Sequence, residues 1–111
     1  MQISFETVDN KLFIKLEGEL DHHTAEEIRE EIDREIEDKG VRNVIFDMSG
    51  MRFMDSSGIG VVIGRYKKVN KFGGQVGVIN MNKRIEKIFE MSGLFNIVKK
   101  FDNKKQAVDS L

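Results

Sequence analysis

Hydrophobic and polar residues alternate from the start of the chain. Ile3-Ser4-Phe5 opens the pattern, and Leu12-Phe13-Ile14-Lys15-Leu16 continues it with Leu12, Ile14 and Leu16 on one face. Asp9-Asn10 lies between these runs and suits a tight turn, so residues 2–17 are predicted to form a hairpin. The period then lengthens. Thr24-Ala25-Glu26-Glu27 has the form of a capping box, and Ala25, Ile28, Ile32 and Ile36 recur at helical spacing up to a natural stop at Gly40. Val44-Ile45-Phe46 is a continuous apolar run, as expected of a strand covered on both faces. A loop is expected over Ser49–Asp55. Ile59, Val62, Tyr66 and Val69 then mark a second amphipathic helix that ends near Phe72-Gly73-Gly74.

Val76-Gly77-Val78-Ile79 reads as another buried strand. A third helix over Lys83–Met91 buries Ile85, Ile88 and Phe89 and stops at Ser92-Gly93. Ile97-Val98 is a candidate short edge strand, and Asn103 can cap a last helix that packs Ala107, Val108 and Leu111. The order β-β-α-β-α-β-α-(β)-α contains strand–helix–strand crossovers, which imply parallel pairing. The expected fold is a small mixed α/β sheet of four to five strands. It has an antiparallel N-terminal hairpin, parallel central strands and about four packed helices, all within one domain over 1–111.

Composition narrows the function classes. No apolar run approaches the ~20 residues needed to span a bilayer, and Met1-Gln2-Ile3-Ser4-Phe5 lacks the basic start and apolar stretch of a signal peptide. No membrane association and a cytoplasmic address are expected. The absence of cysteine excludes a thiolate nucleophile, a disulfide framework and a Cys-rich zinc site. Net charge is −1, but its distribution is uneven: residues 1–55 carry 15 acidic and 7 basic side chains, and residues 56–111 carry 4 and 11. Oppositely biased solvated faces explain this, as does steering toward a charged partner. The basic residues lack the interleaved aromatics of an RNA platform, so no direct nucleic-acid contact is expected.

Gly58-Ile59-Gly60-Val61-Val62-Ile63-Gly64 departs from the dinucleotide fingerprint. Its glycines fall inside the predicted helix and not in a turn directly after a strand. Close helix packing is the expected role of Gly60 and Gly64, and close backbone approach that of Gly58. His22 and His23 are adjacent, which gives weak support for a metal site or a triad, and no metal or cofactor is expected. Asp47 and Asp55 are conceivable paired carboxylates with no substrate-binding feature beside them. Asp55-Ser56-Ser57 stands at a predicted helix start. Capping explains it, and so does a phosphoacceptor whose added charge of about −1.5 to −2 would switch a docking surface.

Four segments carry a resemblance that covers essentially the whole chain: Gly18-Glu19-Leu20-Asp21-His22-His23-Thr24-Ala25-Glu26, Phe53-Met54-Asp55-Ser56-Ser57-Gly58-Ile59-Gly60-Val61, Gly64-Arg65-Tyr66-Lys67 and Met91-Ser92-Gly93-Leu94-Phe95. Together they resemble the STAS-domain anti-sigma factor antagonists, and the first and last are the more specific to the sporulation branch. The resemblance implies a regulator and not an enzyme, with Ser56 as phosphoacceptor. Its implied partners are an anti-sigma factor that is itself a serine kinase and a phosphatase acting on phospho-Ser56. A general-stress antagonist and a small nucleotide-binding protein are the alternatives. The loops Gly18–Thr24 and Asp55–Gly58 are expected to open at one sheet edge. Glu19, Asp21, Asp55, Ser57, Gly58 and Gly60 would then surround Ser56 on a partner-binding surface of a monomer.

Overall fold

The computed structural model describes residues 1–111. Strands β1 (Gln2–Val8), β2 (Lys11–Leu20), β3 (Asn43–Met54), β4 (Val76–Ile79) and β5 (Lys99–Phe101) form one sheet in the order 1-2-3-4-5. The β1–β2 pair is antiparallel and the other three pairs are parallel. Helices α1 (Ala25–Lys39), α2 (Ser56–Asn70), α3 (Lys83–Ser92) and α4 (Lys104–Ser110) complete the chain. No helix is long and apolar enough to cross a membrane.

The hairpin follows from its turn. Asp9 and Asn10 both adopt positive φ, 49° and 64°, which matches the twist of the flanking strands and which Asp and Asn tolerate better than other side chains. The alternation then sorts the sheet into two faces. Leu12, Ile14 and Leu16 point with Val44, Phe46, Val76 and Val78 into the main core, closed by Ile28, Ile32 and Ile36 of α1, Val62 and Val69 of α2, and Ile85 and Phe89 of α3. Phe13, Ile45 and Ile79 point the other way and meet Ala107 of α4. The continuous apolar run in β3 is thus covered on both faces, as its composition predicts.

The structure departs from the sequence reading at four places. Residues Ser49–Met54 are strand and not loop. The β2–β3 register passes from Lys15↔Asp47 to Glu17↔Gly50, and from Gly18↔Met51 to Glu19↔Phe53, so β3 twice carries one extra residue. These bulges bury Met48, Met51 and Met54 at a spacing of three, which hides the period of two by which a strand is recognised. The final strand is Lys99–Phe101, because a 3-10 turn at Leu94–Asn96 takes up the preceding residues and turns Val98 into the core.

The capping box of α1 does not form. Thr24 already has near-helical angles, and its hydroxyl accepts the Asp21 N–H at 3.1 Å and lies 3.3 Å from the Glu19 carbonyl. Asp21 ends the chain entry instead: its Oδ1 accepts the His23 N–H at 2.9 Å, and its carbonyl accepts the Ala25 N–H at 2.8 Å. Finally, Gly60 and Gly64 pack against nothing. A Cβ at either would have no neighbour within 4 Å, whereas one on Gly58 would lie 2.7 Å from the Leu20 carbonyl oxygen and 2.9 Å from Met54 Cβ.

Two cross-helix ion pairs hold α1 beside α2. Arg65 Nε is 2.9 Å from Asp33 Oδ1, and Lys68 Nζ is 2.8 Å from Glu37 Oε1. Arg65 is buried, and that burial lowers the proton affinity of its guanidinium while Asp33 restores part of it. The contact is an ion pair without aligned hydrogen-bond geometry, and Arg65 Nη1 has no protein partner.

Gly58→Ala is expected to cost about 2 kcal/mol, because the clash is with backbone and a core side chain. Gly60→Ala is expected to add about 0.5–1 kcal/mol through helix propensity. Urea melts of the two variants should move in opposite directions. Arg65→Ala leaves Asp33 without its cation and opens a void. A loss of about 2 kcal/mol is expected, less than for a fully buried pair because Asp33 retains solvent contact.

Candidate functional site

Strands β2 and β3 stay paired to their ends, Leu20 opposite Met54, and the Asp55 N–H donates to the Leu20 carbonyl at 3.2 Å. That last rung joins the loop at Asp21–Thr24 to the start of α2. Asp55 is extended at the helix N-cap, and its Oδ1 accepts the N–H groups of Ser57 at 2.8 Å and Gly58 at 3.3 Å. A carboxylate here both satisfies orphan donors and complements the helix dipole. Ser56 is the first helical residue and is exposed; Ser57 is half-buried and Gly58 is buried against Leu20 and Met54.

The two loops meet. His22 Nδ1 stands 4.0 Å from Asp55 Oδ2, and the His22 and His23 rings lie 3.9 Å apart. A crevice of about 400 Å³ opens between α1 and α2, lined by His22, Ala25, Glu26, Arg29, Ser57 and Gly60. Asp21 precedes His22 in the loop that borders it. Burial acts to raise the Asp21 carboxyl, but the N–H groups of His23 and Thr24, the charge of His23 and the Thr24 hydroxyl together outweigh it, and the group lies below its ordinary value of 3.8. Glu19 is exposed opposite Phe53 in the ladder, and Phe53 itself is 40% exposed beside Asp55.

The sheet edge therefore brings together Glu19, Asp21, Asp55, Ser56, Ser57, Gly58 and Gly60. Gly58 takes part by close approach and not through an exposed surface. Asp47 is not part of this group: it lies far down β3, where its Oδ1 accepts the Ser49 N–H and the Asn80 side-chain amide. No set of three His, Asp or Glu side chains converges as a metal site. The largest cavity, about 650 Å³ around Phe72 and Lys71, lies at the other end of α1 and α2 and contains none of these residues. Arg29 and Phe53 are the additions that the sequence reading did not single out. Arg29 follows Ala25 by one helical turn and so shares its face toward the crevice. Phe53 is displaced to the surface by the second bulge.

Residues 2–107 match the STAS domain family. The chain is 38% identical to an anti-sigma F factor antagonist of Paenibacillus polymyxa, over the whole chain and 95% of that relative. The chain belongs to the STAS-domain anti-sigma factor antagonists. It is also similar to an anti-sigma-B factor antagonist of Staphylococcus aureus, at 29% identity over 88% of this chain and 92% of that one. Among solved structures, the anti-sigma factor antagonist SpoIIAA in its unphosphorylated form superposes with a TM-score of 0.77 at 31% identity, covering 97% of this chain and 96% of that one. The Bacillus cell fate determinant SpoIIAA in its phosphorylated form superposes with a TM-score of 0.75 at 33% identity, covering 97% of each chain. The five-stranded mixed sheet with four helices is the STAS fold, so the expected fold class holds.

Because the Asp21 carboxyl is depressed on folding, its contribution to stability is present above its unfolded value. That contribution is lost as pH falls below about 4 through the folded value. Asp21→Asn removes this dependence. The acid limb of the stability–pH curve, measured by thermal melts from pH 2 to pH 6, should be shallower in the variant.

Proposed function

We propose that this antagonist, in its unphosphorylated form, binds an anti-sigma factor that is a serine kinase and thereby frees a sporulation sigma factor in the cytoplasm. The kinase then phosphorylates Ser56, which releases the antagonist, and a serine phosphatase restores it. The chain is the substrate and binding module of this cycle and catalyses none of its steps. The observation that carries the reading is the position of Ser56: an exposed hydroxyl at the first residue of α2, on the same sheet edge as Glu19 and Asp21. That SpoIIAA has been solved in both a phosphorylated and an unphosphorylated form supports a phosphorylation-controlled cycle. The higher identity to the anti-sigma F antagonist than to the anti-sigma-B antagonist favours the sporulation pathway over general stress.

The physical logic is local. Glu19 and Asp21 offer carboxylates to a basic residue of the kinase. Gly60, with no side chain and nothing near it, lets a partner approach the α2 backbone. A phosphate on Ser56 places charge and bulk within that docking surface and disrupts its match to a partner shaped for the free hydroxyl. Ser56 follows a cap already held by Asp55, so its modification disturbs neither the cap nor the core.

Incubation with a purified anti-sigma kinase and ATP, followed by mass spectrometry, should find one phosphate, on Ser56. Phosphate on Ser57, or phosphate that persists in Ser56→Ala, would overturn the assignment. Ser56→Asp should fold as wild type and bind the kinase about tenfold more weakly or worse in calorimetry. Equal binding would exclude charge placement as the switch.

A further inference from the structure

We infer that His22 and Arg29 form the receiving site for the phosphate carried by Ser56, in the crevice between α1 and α2. This rests on Ser56 being the phosphoacceptor. A helix start ordinarily offers free N–H groups to a phosphate, but here the Ser57 and Gly58 N–H groups are already held by Asp55 Oδ1. Asp55 also adds a like charge beside Ser56. A phosphate of about −1.5 to −2 charge at neutral pH therefore needs side-chain cations.

Ser56 itself does not line the crevice, but its neighbour Ser57 and Gly60 one turn on do, and that crevice supplies two. His22 approaches the Asp55 oxygen that the cap leaves free, at 4.0 Å. Arg29 faces Ser57 and Gly60 across the same crevice, and its one ion pair is a long contact of 3.9 Å with exposed Glu26. The charged and titratable groups around them are Asp21 and His23 on the same loop, Glu26 and Asp33 on α1, and Asp55 and Arg65 on α2, with Arg65 a like charge felt by Arg29 and itself paired to Asp33. The Asp21 Oδ1 is engaged by the His23 and Thr24 N–H groups, and the His23 ring lies tilted against that of His22 and does not line the crevice. His22 and Arg29 are the cations positioned to answer the phosphate.

Two consequences follow. The phosphate lies against the crevice and covers Ser57 and Gly60, so it blocks the α2 face as well as charging it. It also pairs the added charge within the molecule, so the fold is retained when Ser56 is modified.

The test uses protein with phosphoserine installed directly at position 56 during synthesis, so that it does not depend on any kinase. Phosphorus NMR follows the second ionisation of the phosphate, ordinarily near 6. Its midpoint is expected to rise by about half a pH unit or more in His22→Ala and in Arg29→Ala, and to stay within about 0.2 unit in His23→Ala. The His22 ring resonances should shift on phosphorylation, while those of His23 stay. Amide spectra of each variant report that the fold is retained. A phosphate that titrates identically in wild type, His22→Ala and Arg29→Ala overturns the inference. A kinase that modifies another residue overturns the reading of Ser56 and leaves this measurement valid for the crevice itself.

Discussion

The hydrogen bond from Asp55 N–H to the Leu20 carbonyl closes the ladder between β2 and β3, and the functional edge depends on it. It brings the end of one strand and the start of α2 to a fixed separation, and with them the two loops that carry the acidic residues and the serines. The tightness of this junction sets its own sequence requirement. The Leu20 carbonyl lies so close to α2 that only a residue without Cβ fits at position 58. Gly58, in the middle of the site, is thus a structural condition for the site, not a contact made by it.

Much of the fold was legible because most elements bury one face. The period of two in Leu12–Leu16, the helical spacing of Ile28, Ile32 and Ile36, and the asparagine cap of the last helix all describe how the chain meets its core or ends its helices. The misreadings fall where local pattern and tertiary role separate. The bulges in β3 replace alternation with a spacing of three, and Ser49-Gly50 then reads as loop. Thr24 sits within a helical turn that Asp21 begins, so the capping pattern is displaced by one turn. Gly60 and Gly64 have the spacing of a packing motif, but sequence alone does not say which face of α2 is covered.

The site was legible in part for a different reason. Asp55, Ser56 and Ser57 announce a helix start from composition alone, and the strand order places Asp21 at the same edge. The opposing side chains of the crevice could not be read this way. Arg29 belongs to a helix whose outward face is crowded with acids, and only the packing of α1 on α2 turns it toward Ser57. The charge imbalance between the two parts of the chain resolves similarly. Acids from the first part meet bases from the second in Asp33–Arg65 and Glu37–Lys68, so part of what resembled long-range steering is internal pairing between neighbouring helices.

Gly60 and Gly64 occupy successive turns of α2 with no neighbour over either. Each lowers intrinsic helicity by about 1 kcal/mol relative to alanine, so the helix carrying the serines persists through its buried face more than through its own propensity. At these two positions the helix is one methyl thinner per turn than an ordinary helix, with room above the backbone. Helix axes approach most closely where the intervening side chains are smallest. Under the proposed function, recognition on this side is discrimination by depth: a partner contoured to reach the peptide groups is sensitive to a single added carbon, whatever the charges around it.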